Sequence, residues 1–134
     1  MAPKKVLVVD DYRPLLEFLG TVLALLGWDA ILAGSAWEAL NKLEYGLPNV
    51  ILLDMRMAGM NGFEVAGILK KHPVYRKIPI LAASAYPGHL ARVRSLTAGC
   101  DDFISKPFAI SALQTRLARL VSSANQRAVE TITL

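Results

Sequence analysis

The sequence predicts an α/β fold in which a five-stranded parallel sheet is covered by helices on both faces. Short runs of branched apolar residues alternate with stretches whose apolar residues recur at helical spacing. The connections between them are short, as in β-α units. Acidic residues or a lysine stand directly after several of the apolar runs, where an open α/β sheet gathers its ligands.

Residues 6–9, Val-Leu-Val-Val, form the first expected strand, a run without polar alternation that suits a strand buried on both faces. Leu15, Leu16, Leu19, Val22, Leu23 and Leu26 then mark a helix. Pro14 is tolerated in its first turn, where N–H groups lack intrahelical partners, and Gly27 stops it. Residues 30–33 are a second strand. Ser35 and Glu38 form a capping box for a helix to about residue 45, ended by Gly46. Residues 50–53 are the third strand. A loop over 55–62 leads to Asn61 and Glu64, which cap a third helix reaching about residue 71. Pro79 opens a fourth strand over 80–83. The fourth helix spans about 88–98 and is stopped by Gly99. Residues 102–105 are the fifth strand, and the last helix spans about 110–122. Residues 1–122 are therefore expected to form one domain. Residues 123–134 are expected to be a flexible tail.

Composition narrows the classes. A hydrophobic fraction of 54% over 134 residues supplies a core and excludes disorder. The net charge of +4 comes from scattered basic residues with no run longer than two, so a solvated face is expected rather than a nucleic-acid surface. One cysteine, Cys100, excludes an internal disulfide framework and fits a reducing cytoplasm; it reads as a small buried apolar residue. The apolar stretch over 15–28 contains Glu17, Gly20 and Thr21 and is too short to span a bilayer. Residues 6–9 are too few for a secretory h-region.

The chemistry lies at the strand ends. Asp10 and Asp11 follow the first strand, Asp54 the third, Ser84 the fourth and Lys106 the fifth. Carboxylates brought together repel unless a counter-ion offsets them. A hard divalent cation such as Mg²⁺ takes oxygen ligands, and a lysine pairs with an anion. With both present, a carboxylate can act as nucleophile toward phosphorus. Each residue taken alone has a plainer reading: helix cap, turn residue, satisfied hydroxyl or surface lysine. Met55, Met57 and Met60 read as gap-filling core residues, and His72 and His89 as non-catalytic.

Taken together, these residues resemble the receiver domain of two-component response regulators. The matching segments are Val6-Leu7-Val8-Val9-Asp10-Asp11, Leu53 through Gly62, Ala83-Ser84-Ala85, and Ala98 through Phe108. The resemblance covers about residues 4–122. It implies a doubly wound, flavodoxin-like sheet with strand order 2-1-3-4-5 and five helices. It implies that Asp54 is the phosphoacceptor and that Asp11, Asp54 and the backbone carbonyl of Arg56 bind Mg²⁺, with Asp10 acting through water. Lys106 and Ser84 would contact the phosphoryl group, Ala85 would leave room beside it, and Phe103 would turn inward when Ser84 moves. The Lys106-Pro107 bond would be cis. Such a domain catalyses only its own aspartyl phosphorylation and dephosphorylation.

The resemblance further implies a sensor histidine kinase or histidine phosphotransfer protein as donor. The output would be a helix 4–strand 5–helix 5 face that binds a protein partner or a second copy, with no direct DNA contact. No output domain follows within the sequence, so a stand-alone receiver of the chemotaxis or cell-cycle type and a receiver cut from a longer regulator both stay open. The alternative is a degenerate receiver serving as a phosphate-independent scaffold. An Asp-x-Asp phosphatase is disfavoured because Asp10 and Asp11 are adjacent, and no Gly-x-Gly-x-x-Gly follows the first strand.

Four positions depart from the common pattern. Ala58 stands where many members have proline, which implies a less rigid loop. Phe103 lacks the hydroxyl of the frequent tyrosine. Arg56 and Tyr86 are bulky beside the expected phosphoryl pocket and should hinder the attacking water. Tyr86→Ala is therefore expected to shorten the life of the phosphorylated form several-fold, checked by following hydrolysis in time; an unchanged rate counts against the hindrance.

Overall fold

The computed structural model describes residues 2–85 and 89–132. Its elements are β1 (Lys5–Val9), α1 (Arg13–Leu25), β2 (Asp29–Ala33), α2 (Ala36–Leu43), β3 (Val50–Asp54), α3 (Gly62–Lys71), β4 (Ile80–Ser84), α4 (His89–Thr97), β5 (Asp102–Ser105) and α5 (Ile110–Glu130). All strand pairs are parallel and the order is 2-1-3-4-5, so β3 lies in the middle and is buried along its whole length.

Because side chains alternate along a strand, the apolar runs divide between two cores. Leu7, Val9, Ile51, Leu53, Ile80, Ala82 and Phe103 face α2, α3 and α4. Val6, Val8, Val50, Leu52, Leu81, Ala83 and Ile104 face α1 and α5. Leu16, Leu19 and Leu23 of α1 and Leu113, Leu117 and Val121 of α5 close the second core. Trp28 is buried there and donates from Nε1 to Gln114 Oε1 at 2.6 Å, tying the α1–β2 turn to α5. Trp37, in contrast, is 69% exposed.

The expected elements are all present, with three local differences. Glu38 does not reach back to Ser35: its Oε2 accepts from the Gly34 N–H at 3.0 Å, while Ser35 Oγ accepts from the Glu38 N–H. At α3 both halves of the capping box form, through Asn61 and Glu64. A 3₁₀ turn, Tyr75–Lys77, precedes β4; its signal was hidden because three residues show no periodicity.

The third difference lies in the residues expected as a C-terminal tail. α5 continues through residues 123–130 to Glu130. No glycine or proline interrupts that stretch, alanines and long polar residues favour helix, and Gln126 Nε2 donates to Glu130 Oε1 one turn on.

The α3–β4 corner is held by one lysine. Lys70 Nζ donates to the carbonyls of Arg76 and Ile78 and to Asp101 Oδ2, at 3.3, 3.1 and 3.1 Å. Asp101 Oδ2 also accepts from the Ile80 N–H at 2.8 Å. Gly99, at φ +109°, lets the chain pass the lysine stem: a Cβ there would stand 2.6 Å from Lys70 Cγ. Lys70→Met keeps the stem but removes all three donations, leaving two carbonyls and a carboxylate short of a partner. It is expected to cost about 1–2 kcal/mol in urea unfolding; a loss below a few tenths would show the corner does not depend on it.

Candidate functional site

The site forms where the carboxyl ends of β1, β3, β4 and β5 meet. Sheet hydrogen bonding runs one residue past the strands and fixes the backbone that carries the side chains. The Asp10 N–H donates to the Ala33 carbonyl, the Met55 N–H to the Ala83 carbonyl and the Lys106 N–H to the Ser84 carbonyl, at 3.1, 2.9 and 2.8 Å. α3 starts against the end of β3, and only glycine fits there: a Cβ on Gly62 would lie 2.4 Å from the Asp54 carbonyl oxygen.

Carboxylate oxygens of Asp10, Asp11 and Asp54 lie within 4.8 Å of one another, the one His/Cys/Asp/Glu cluster of metal-binding geometry among the described residues. Asp10 and Asp54 are buried; Asp11 is exposed at the mouth. Lys106 Nζ stands 2.6 Å from Asp10 Oδ2 and 3.5 Å from Asp54 Oδ1. It reaches across the end of β4, and its ammonium sits between the two buried acids. Backbone donors add to this: the Tyr12 N–H reaches the other Asp10 oxygen, Oδ1, at 2.9 Å, and the Arg56 N–H reaches Asp54 Oδ1, the oxygen nearest Lys106, at 3.3 Å.

Sequence reasoning missed one contact. The Ala58 N–H donates to Asp11 Oδ2 at 3.0 Å. A proline here has no N–H to give, so the residue expected to loosen the loop instead tethers it to Asp11. No side-chain motif announces such a bond, since its donor is backbone.

Burial, the larger influence, pushes Asp54 up to about 6 from its ordinary 3.8. Lys106 opposes the rise, Asp10 adds to it, the Arg56 N–H opposes it and Asp11 adds a little. The set is all hard oxygen donors, with an excess of negative charge over the one ammonium, and this fits a divalent cation of the magnesium type.

The remaining predicted residues fall as follows. Ser84 is fully buried at the end of β4, and Ala85 beside it is exposed. The Arg56 side chain is exposed, and Tyr86 lies outside the described residues. Lys106-Pro107 is cis. Phe103 is buried in the core with Ala91 and Cys100, so its ring is already inward. A phenyl ring without a hydroxyl has no polar end to hold outside. Burial raises the Cys100 thiol to about 12, a packing residue. Met55 and Met57 are likewise core. His72 Nδ1 accepts the Val74 and Tyr75 N–H groups and stacks on Tyr75, which gives it a capping part.

α4 is lightly anchored. It buries only Ala91 and Ser95, while Leu90, Val93 and Leu96 stay exposed. Arg94 lies over the Phe63 ring at 4.3 Å and links α4 to the first turn of α3. From α5, Arg116 Nη1 donates to Asp102 Oδ1 at 3.1 Å and to the Phe103 carbonyl at 3.1 Å, both on β5. No helix among the described residues is long and apolar enough to cross a membrane.

Residues 6–118 match the model of the response regulator receiver domain. The chain is 33% identical over 129 residues to the phosphate regulon transcriptional regulatory protein PhoB of Escherichia coli K12, covering 96% of this chain and 56% of that protein. It is 33% identical to the transcriptional regulatory protein TrcR of Mycobacterium tuberculosis, covering 90% and 46%. The chain thus spans about half the length of these curated relatives. Among solved structures, a Francisella response regulator receiver domain superposes with TM-score 0.83 at 30% identity, covering 90% of this chain and 98% of that one. The chemotaxis protein CheY4 of Vibrio cholerae does so with TM-score 0.83 at 28% identity, covering 89% and 99%.

Because the folded state holds the Asp54 proton more tightly than the unfolded chain, stability from this group is present below about pH 4 and is lost as pH rises through about 6. Asp54→Asn cannot ionise. In chelator, its stability relative to the parent should rise between pH 4 and 7 by roughly 2 kcal/mol, read by urea unfolding. A difference constant over that range would show that Asp54 carries no such burden.

Proposed function

The chain belongs to the response regulator receiver family, and on that premise we propose that it is a phosphoryl switch in which Asp54 is the acceptor. The donor is a phosphohistidine of a sensor histidine kinase or histidine phosphotransfer protein. The observation that carries this reading is the placement of Asp54: buried, among two further carboxylates, with Lys106 Nζ 3.5 Å from its Oδ1.

A carboxylate oxygen of Asp54 attacks phosphorus. The phosphorus–nitrogen bond of the donor breaks, its electron pair returns to the imidazole, and the product is an aspartyl phosphate. Lys106 leaves its position beside Asp10 and Asp54 to pair with the phosphoryl oxygens, and the Ser84 hydroxyl donates to one of them. Ala85 leaves room at the rim, where the Arg56 side chain obstructs the hydrolytic water. Asp11, Asp54 and the Arg56 carbonyl would hold Mg²⁺, with Asp10 acting through a water. The ion supplies positive charge against the phosphoryl oxygens.

The switch acts through Ser84 and the lightly anchored α4. A shift of Ser84 toward the phosphoryl group opens space beside Phe103 and lets α4 repack, so the α4–β5–α5 face changes for a protein partner or a second copy. The domain works on its own aspartyl group and turns over no external substrate, and its setting is the cytoplasm.

Incubation with acetyl phosphate tests the acceptor. The intact mass should rise by one phosphoryl group in Mg²⁺, stay unchanged in chelator and stay unchanged for Asp54→Asn. No gain under any condition would make the chain a phosphate-independent scaffold.

A further inference from the structure

Four of the fifteen lysines and arginines of this chain line one cavity. Helices return from the carboxyl edge of the sheet, so the ends of α3 and α5 meet at the amino edge, opposite Asp54 by the length of a strand, roughly 17 Å. A cavity of about 570 Å³ opens there, lined by Lys70, Arg76, Lys77, Asp101 and, from α5, Arg127 among others. It exists because α5 runs on to Glu130 and presents the small Ala124 and Ala128 to it.

Four cations and one acid line this cavity, and the acid is already engaged. Asp101 Oδ2 takes the Lys70 ammonium and the Ile80 N–H. Lys70 itself is spent on that carboxylate and two carbonyls. Arg76, Lys77 and Arg127 are exposed, and none of them enters a salt bridge among the described residues. Lys70 also pins the Arg76 carbonyl, so the turn carrying Arg76 and Lys77 is held before any ligand arrives, which lowers the cost of ordering it. A second concavity of about 330 Å³ adjoins through Lys77 and Ala124, and Leu47, Val74, Ile78 and Pro79 make its wall apolar.

We propose that this cavity is a binding site for a small phosphate-bearing anion, held by Arg76, Lys77 and Arg127 and separate from the phosphoacceptor. Guanidinium groups meet phosphate oxygens in pairs, and the lysine adds a point charge. The concave shape suits a small oligophosphate rather than a duplex, which needs a projecting surface. The apolar neighbour offers a place for a base or another flat body carried on the phosphates.

The test is titration of the metal-free chain with tripolyphosphate, and in parallel with ATP, followed by backbone amide shifts. Tripolyphosphate is expected to bind at low salt with a Kd on the order of 0.1 mM. The shifts should centre on residues 76, 77 and 127. Arg76→Gln combined with Arg127→Gln should weaken binding about tenfold or more, while the fold and acetyl phosphate labelling of Asp54 stay unchanged. Tighter binding of ATP, with added shifts at Leu47 and Val74, would assign the second concavity to the base; equal binding would assign the site to the phosphates alone. Absence of binding in the millimolar range, shifts centred on Lys106, or undiminished binding by the double variant would each overturn the proposal.

Discussion

The pairing of one lysine with two buried aspartates is the constraint around which the rest of the site is arranged. Two carboxylates buried side by side cannot both stay ionised without a nearby positive charge. Lys106 supplies it from the far side of β4, 2.6 Å from Asp10 and 3.5 Å from Asp54. One ammonium offsets part of the burden, and Asp54 remains raised to about 6. The result is a carboxylate that is costly to leave ionised and gains from any further positive charge. A group in that condition responds strongly to what binds beside it, as the proposed switch requires.

The sheet makes that cost bearable. Two apolar cores, one on each face, clamp the central strands, and main-chain hydrogen bonds continue past the strand ends into the site residues. Rigidity is concentrated in β1, β3 and β4. α4 is the more lightly anchored, setting only Ala91 and Ser95 into the body. In the proposed switch, a firmly packed site beside a lightly anchored helix would let a local change of charge become a change of surface.

Charge is also divided between the two edges. The carboxylates sit at the carboxyl ends of the strands, and a basic cavity sits at the amino ends, built by the α3–β4 corner and the long α5. The net charge of +4, which reads as scattered in the linear chain, acquires a place only when those segments fold together.

Much of this was legible in the residues. Apolar runs bounded by glycines, prolines and caps marked five β-α units because periodicity and capping are local properties of the chain. The side chains gathered at the candidate site could be placed at one edge because a parallel sheet delivers the residue after each strand there. Other features depended on what lies across space. The Ala58 N–H on Asp11, the Lys70 staple on Asp101 and the inward ring of Phe103 join segments with no local signal in common. The length of α5 was masked because its last turns are polar, and nothing in their pattern separates a solvent-facing helix from a tail. The sequence by itself determined which groups stand at which strand ends. The tertiary structure alone decided which of them share charge, because pairing energy depends on distance and burial, and neither is a property of the linear chain.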